Sequence, residues 1–185
     1  MTRFTRLVPV LITLLAFFAV PFGPGDAKGQ EAAAAAQGLE RFNGSWRYGS
    51  SASRGRDIIE RAVVRAVDGM NFITQPIATG RLRGKNPLVQ RIDINLTSTD
   101  ARVVFDGNRT YRGALNAWTS HSFDGETLNV QFRHRGDSLV QLFRSDSGTR
   151  RNVYRLQPNG TLRLEVTLQS GSLPRDMTYS LDYRR

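Results

Sequence analysis

Thr161–Arg184 reads TLRLEVTLQSGSLPRDMTYSLDYR. Both of its ends alternate strictly. Leu162, Leu164, Val166 and Leu168 oppose Arg163, Glu165, Thr167 and Gln169. After a turn at Gly171-Ser172, Met177, Tyr179, Leu181 and Tyr183 oppose Thr178, Ser180, Asp182 and Arg184. Side chains in a β-strand point alternately to opposite faces, so each segment reads as a half-buried strand, and the short link makes the two antiparallel neighbours.

The same pattern extends upstream to Asn86-Pro87. Leu88, Ile92, Ile94 and Leu96 share one face, with Arg91, Asp93, Asn95 and Thr97 on the other. Turn signals then recur at short intervals, among them Asp106-Gly107-Asn108, Asp124-Gly125, Gly136-Asp137, Ser147-Gly148 and Pro158-Asn159-Gly160. They delimit strands near 101–106, 109–115, 117–122, 127–134, 138–144, 150–157, 161–169 and 175–184. An opening strand, Arg41–Tyr48, carries Phe42, Trp46 and Tyr48 at alternate places.

Between the opening strand and Asn86 the period changes to 3.6. Ile58, Ile59, Ala62, Val63, Ala66, Val67, Met70 and Ile73 recur at three and four residues among charged positions. This predicts a helix near 55–73, capped by Ser53 or Asp57, and a second near 75–83 with Thr74 as its cap. Ile59, Ala62, Val63, Ala66, Met70 and Ile73 are the expected buried stripe. The fold class is mainly β: an antiparallel up-and-down barrel of about ten strands, with a helical insert at about 55–83 after the first strand. A meander of this length closes because closure removes exposed sheet edges.

Outside this domain (39–185), Leu7–Val20 is an apolar run behind Arg3 and Arg6, and Gly25 and Ala27 are small residues two apart. This reads as a cleaved signal peptide over 1–27, and so as a periplasmic or secreted protein. The run is shorter than the roughly 20 residues a membrane anchor needs, and Pro9 interrupts it. Residues 28–38, with five consecutive Ala, read as a flexible arm. Lys occurs only at Lys28 and Lys85, a usage that points to a GC-rich bacterial source. The sequons at Asn43, Asn95, Asn108 and Asn159 would matter in a eukaryote and are chance in a bacterium.

Formal net charge is +10, most of it Arg spread through strands and turns. Such a field favours anionic partners, including peripheral contact with anionic envelope lipids; the plain alternative is a soluble surface that happens to use Arg. Export argues against nucleic acid. The chain has no Cys, and its only His residues are His121 and His134, without metal-ligand spacing, so neither a metal nor a cofactor is expected. No G-x-S-x-G turn or phosphate loop occurs, and no enzymatic activity is expected.

Phe42-Asn43-Gly44-Ser45-Trp46 resembles the Phe-x-Gly-x-Trp motif that opens the first strand of lipocalins and fatty-acid-binding proteins, the calycins. The resemblance implies that Gly44 and Trp46 lie at the closed end of a barrel, with an Arg of the last strand, Arg184 or Arg185, over the indole. A helical segment after the first strand is similar to the fatty-acid-binding-protein branch. The whole pattern also resembles exported lipocalin-like bacterial proteins. The Arg-x-Tyr pair that holds a carboxylate in that branch is missing from the last strand, although Tyr179 and Tyr183 fall in the region. No His follows His134 to match the haem-binding barrels.

The inward-facing candidates for a ligand cavity are Phe105, Phe132, His134, Tyr154, Tyr179 and Tyr183. Arg144 and Arg155 would supply charge at its mouth. The expected function is a monomeric, non-enzymatic carrier or sensor of a small hydrophobic or amphipathic, anionic ligand. The alternative is a structural or protein-interaction module of the envelope, with a filled barrel and a basic surface. An enzyme acting on a lipid-like substrate is the third reading.

Overall fold

The computed structural model describes residues 38–123 and 126–185; the signal-like segment 1–27 and nearly all of the arm lie outside them. Ten strands follow one another as β1 (Gly44–Tyr48), β2 (Arg91–Leu96), β3 (Asp100–Phe105), β4 (Arg109–Ala114), β5 (Trp118–Phe123), β6 (Glu126–Arg135), β7 (Ser138–Ser145), β8 (Gly148–Leu156), β9 (Leu162–Gln169) and β10 (Met177–Arg184). Two helices, α1 (Ala52–Val67) and α2 (Thr74–Lys85), separate β1 from β2. The sheet order is β4-β3-β2-β1-β10-β9-β8-β7-β6-β5, with every neighbouring pair antiparallel. The first and last strands of the chain therefore pair at the centre of the sheet.

The sheet's two edges, β4 and β5, come together to make a nearly closed barrel. The Asn116 amide donates to the Phe132 carbonyl at 2.7 Å, the Gln131 side-chain amide donates to the Asn116 carbonyl at 2.7 Å, and a ring nitrogen of His121 lies 3.0 Å from the Arg112 carbonyl. The Asp106-Gly107 turn between β3 and β4 has φ of 51° and 76°, the left-handed pair a tight hairpin requires.

One end of the barrel is a packed floor. Trp46 is 1% exposed, and its indole N–H donates to the Phe42 carbonyl at 2.9 Å. The guanidinium over its ring belongs to Arg185, 4.7 Å from the centroid, and also donates to the Arg41 and Asn43 carbonyls. Arg184 is exposed and pairs across the sheet with Arg47. Strand parity decides between the two: Tyr183 points inward, so Arg184 must point out. Asn43 fastens the floor to β2 through both its amide atoms, donating to the Leu96 carbonyl and accepting from the Leu96 amide.

The helices cover the other end. Ile59, Ala62, Val63, Ala66 and Val67 are buried, while Met70 is half-buried and Ile73 is 63% exposed. The expected stripe thus stops early: α1 ends at Val67, and Gly69 at φ 92° turns the chain away before Ile73. The caps also differ from expectation. The Ser51 hydroxyl accepts from the Arg54 amide, and the Asn71 side chain accepts from the amides of Ile73 and Thr74. Gly55 lets α1 approach the barrel; a Cβ there would sit 2.7 Å from Leu88 and 2.9 Å from Tyr48. A Glu60–Arg83 ion pair ties α1 to α2.

The floor geometry separates three variants. Trp46→Ala should cost about 3–5 kcal/mol, as large core truncations do. Arg185→Ala should cost about 0.5–2 kcal/mol through loss of the cation–π contact. Arg184→Ala should stay within about 0.5 kcal/mol of the parent. Urea unfolding of the three proteins checks the order.

Candidate functional site

Strand register determines what faces the interior. On β8, Arg150, Asn152, Tyr154 and Leu156 pair with Leu168, Val166, Leu164 and Leu162 of β9, all on the inner face. On β7 the inward residues are Leu139, Gln141 and Phe143. The interior therefore holds a polar layer that includes a guanidinium.

Arg150 is half-buried near the helix-covered end. Its Nε donates to Asn152 Oδ1 at 2.9 Å, one terminal nitrogen to Asn86 Oδ1 at 3.1 Å, and the other reaches the Tyr179 hydroxyl at 3.4 Å. Asn86, 2% exposed at the end of α2, is anchored through its own amide to the Leu82 carbonyl. Every one of these partners is neutral, and among the described residues Arg150 has no carboxylate partner. Deeper in, the Tyr154 hydroxyl donates to Gln141 Oε1 at 2.6 Å, while the Gln141 amide nitrogen is buried with no hydrogen-bond partner among the described residues. A charge partly withdrawn from water, with only neutral protein partners, carries a desolvation cost, and an anion beside it would offset that cost.

An aromatic cluster flanks the guanidinium. The Phe143 ring lies 6.0 Å from the Arg150 guanidinium carbon and packs edge-to-face on Tyr111 at 5.0 Å. Tyr111 in turn packs on Phe105 and on His121, each at 5.8 Å.

The expected cavity residues are divided by this arrangement. Tyr179 and Phe105 belong to the Arg150 end. Phe132, Tyr154 and Tyr183 point inward but retain 1%, 0% and 0% of their surface, so no water-sized space adjoins them; they are packed core. The Tyr183 hydroxyl donates to the Val89 carbonyl at 3.0 Å, and the Tyr154 hydroxyl is satisfied by Gln141. The phenols therefore find partners inside the protein. His134 lies at the floor against Gly38, its Nε2 buried and unpartnered among the described residues. Arg155 and Arg144 are not at the mouth. Arg155 pairs on the outer face with Glu165 at 2.7 Å, and Arg144 lies 4.8 Å over Trp118. A strand-parity reading of β8 would have found Arg150 and Asn152, which share a face with Tyr154 and Leu156.

Comparison with known proteins comes to fold alone. No protein-family model and no curated protein matches the sequence. Among solved structures, the fluorescent protein UnaG aligns with a TM-score of 0.50 at 15% identity, covering 80% of this chain and 98% of that one. A secretory abundant heat soluble protein of Ramazzottius varieornatus aligns with a TM-score of 0.50 at 10% identity, covering 78% and 95%. A Schistosoma mansoni fatty acid binding protein in complex with arachidonic acid gives 0.47 at 13%, covering 80% and 98%. The chain thus shares the barrel fold of UnaG and of the secretory abundant heat soluble protein.

Burial holds the Tyr154 and Tyr183 phenols well above their ordinary pKa. Below about pH 10 both the folded and the unfolded chain keep these protons, and the two tyrosines add no pH dependence. Above it the unfolded chain releases protons that the folded chain retains, so stability falls by about 1.4 kcal/mol per pH unit for each tyrosine. Thermal melts from pH 9 upward, with phenolate absorbance followed in parallel, should show these phenols ionising only as the protein unfolds.

Proposed function

We propose that the chain is an exported, non-enzymatic binding protein that holds a small anionic amphipath at the helix-covered end of its barrel. The observation that carries this reading is Arg150, an interior guanidinium solvated by Asn86, Asn152 and Tyr179 without a carboxylate. A carboxylate or similar head would pair with it through charge-assisted hydrogen bonds. The apolar part would have to enter between the buried rings of Phe105, Tyr111 and Phe143, since the floor beneath is filled by Trp46, Phe132, Tyr154 and Tyr183. Ligand of this kind would be compact, or its entry would be coupled to loosening of the lid.

Contact with anionic envelope lipids belongs to the same reading. Phe72, Ile73 and Ile77 are 84%, 63% and 55% exposed at the tip of the helical cover, on a chain of net charge +10. The reading takes the protein as a monomer acting in the periplasm or medium. N-terminal sequencing of exported material should then find residues 1–27 removed; a mature chain starting at Met1 would remove the support for export.

The packed floor specifically favours a second reading, an envelope module with a filled barrel. Thermal shift separates the two. Alkanoic acids should raise Tm in a dose-dependent way and the matching alcohols should not. A hundredfold excess over Kd stabilises by about 2.7 kcal/mol. At about 2–4 °C per kcal/mol, that is about 5–10 °C. Arg150→Met should abolish the shift while leaving the unliganded protein as stable or more so, because a half-buried charge is replaced by apolar bulk. No shift with any acid favours the filled module.

A further inference from the structure

A groove of about 520 Å³ lies outside the barrel, between α1 and the outer face of β9 and β10. From α1 it is lined by Ile58, Arg61 and Arg65, three- and four-residue spacing that defines one flank of the helix. The opposite flank carries Glu60, paired to α2. From the strands come Arg163, Glu165 and Thr167 of β9 and Thr178 and Ser180 of β10, with Val166 and Tyr179 at its inner edge. Two of these charges are held in place. Arg163 donates from Nε and Nη2 to Asp182 at 2.8 and 3.1 Å, which leaves Nη1 for another acceptor, and Glu165 accepts from Arg155 at 2.7 Å. Arg61 and Arg65 have no carboxylate partner among the described residues; Arg65 reaches only the Thr178 carbonyl, at 3.4 Å.

We infer that this groove is a second binding site, for a phosphorylated saccharide. Two arginines one helical turn apart and a third across the groove line a volume that suits a phosphate monoester, whose oxygens accept several charge-assisted hydrogen bonds. The Thr178 and Ser180 hydroxyls and the Glu165 carboxylate offer donors and acceptors to a polyol, and Ile58 offers a small apolar face to the ring. The open, polar lining does not suit an acyl chain. The groove borders the interior site at Tyr179 but does not include Arg150, and the Arg150→Met variant reads the two apart. Its ligand is either a free sugar phosphate or the headgroup of a phosphorylated glycolipid.

Calorimetric titration of the purified protein with glucose 6-phosphate and with glucose, and sedimentation with phosphatidylcholine vesicles with and without lipid A, test the site and its source. The variant is Arg61→Ala/Arg65→Ala. The charge-matched control is Arg102→Ala/Arg112→Ala, on the outer face of β3 and β4. Glucose 6-phosphate or lipid A vesicles should bind the parent, the control and Arg150→Met alike. The groove variant should bind about a hundredfold more weakly, about tenfold for each charged hydrogen-bonding group lost. Binding only to the vesicles with the same loss supports the headgroup as source. The proposal is overturned if no phosphorylated probe binds, if glucose binds as well as its phosphate, or if both double variants lose affinity equally.

Discussion

Side-chain alternation leaves a closed sheet little freedom. Once Leu162, Leu164 and Val166 point inward, the hydrogen-bonded register turns Tyr183, Leu181 and Tyr179 of β10 and Leu156, Tyr154 and Asn152 of β8 the same way, and the constraint passes from strand to strand. Shifting β9 by one residue would put Leu162 and Leu164 in water and Arg163 in the core. The constraint places Arg185 over Trp46 and Arg184 in solvent. It also carries Arg150 inside, where composition alone would put an arginine outside.

The interior is two environments stacked along one axis. Toward the floor, Trp46, Phe132, Leu139 and Leu164 are packed to within 1% of complete burial. Toward the helices, Gln141, Asn152 and Asn86 replace aliphatic side chains, and the phenols of Tyr154 and Tyr179 join their network. A polar layer weakens a core unless every group is satisfied, and here the Gln141 amide nitrogen is not, among the described residues. Stability would be better served by leucines. The departure from that optimum is what singles out this end of the barrel as the candidate site.

The cover over that end is unevenly held. α1 is seated by its buried stripe Ile59, Ala62, Val63, Ala66 and Val67, whereas α2 buries only Leu82 and is tied to α1 by the exposed ion pair Glu60–Arg83. Exposed pairs contribute little each. The apolar tip at Phe72 and Ile73 makes no compensating contact with the core. An element with few buried contacts opens at lower free energy than the strands beneath it, which is what access to Arg150 would need.

Much of the architecture was legible in residue order. Strict alternation at Leu162–Gln169 and Met177–Arg184 defines strands because period two has no other half-buried solution, and the turn residues between strands define antiparallel neighbours. The helix ends were less legible. Gly69 terminates α1 before Ile73, Ser51 caps α1, and Ile73 takes the cap position of α2 while Asn71 accepts from the amides of Ile73 and Thr74, because capping depends on backbone angles that several nearby hydroxyls and amides could satisfy. The candidate site was read only in part. Aromatic bulk at inward positions pointed to Phe132, Tyr154 and Tyr183, but whether such side chains line a space or fill it depends on how ten strands curve and how far the helices descend, which no local pattern encodes. The sequence by itself determined the strands, their order and which residues face in. Only the tertiary structure decided that Asn86, Arg150, Asn152 and Tyr179, far apart in the chain, meet at one guanidinium, because that meeting depends on the closure and stagger of the barrel rather than on any local periodicity.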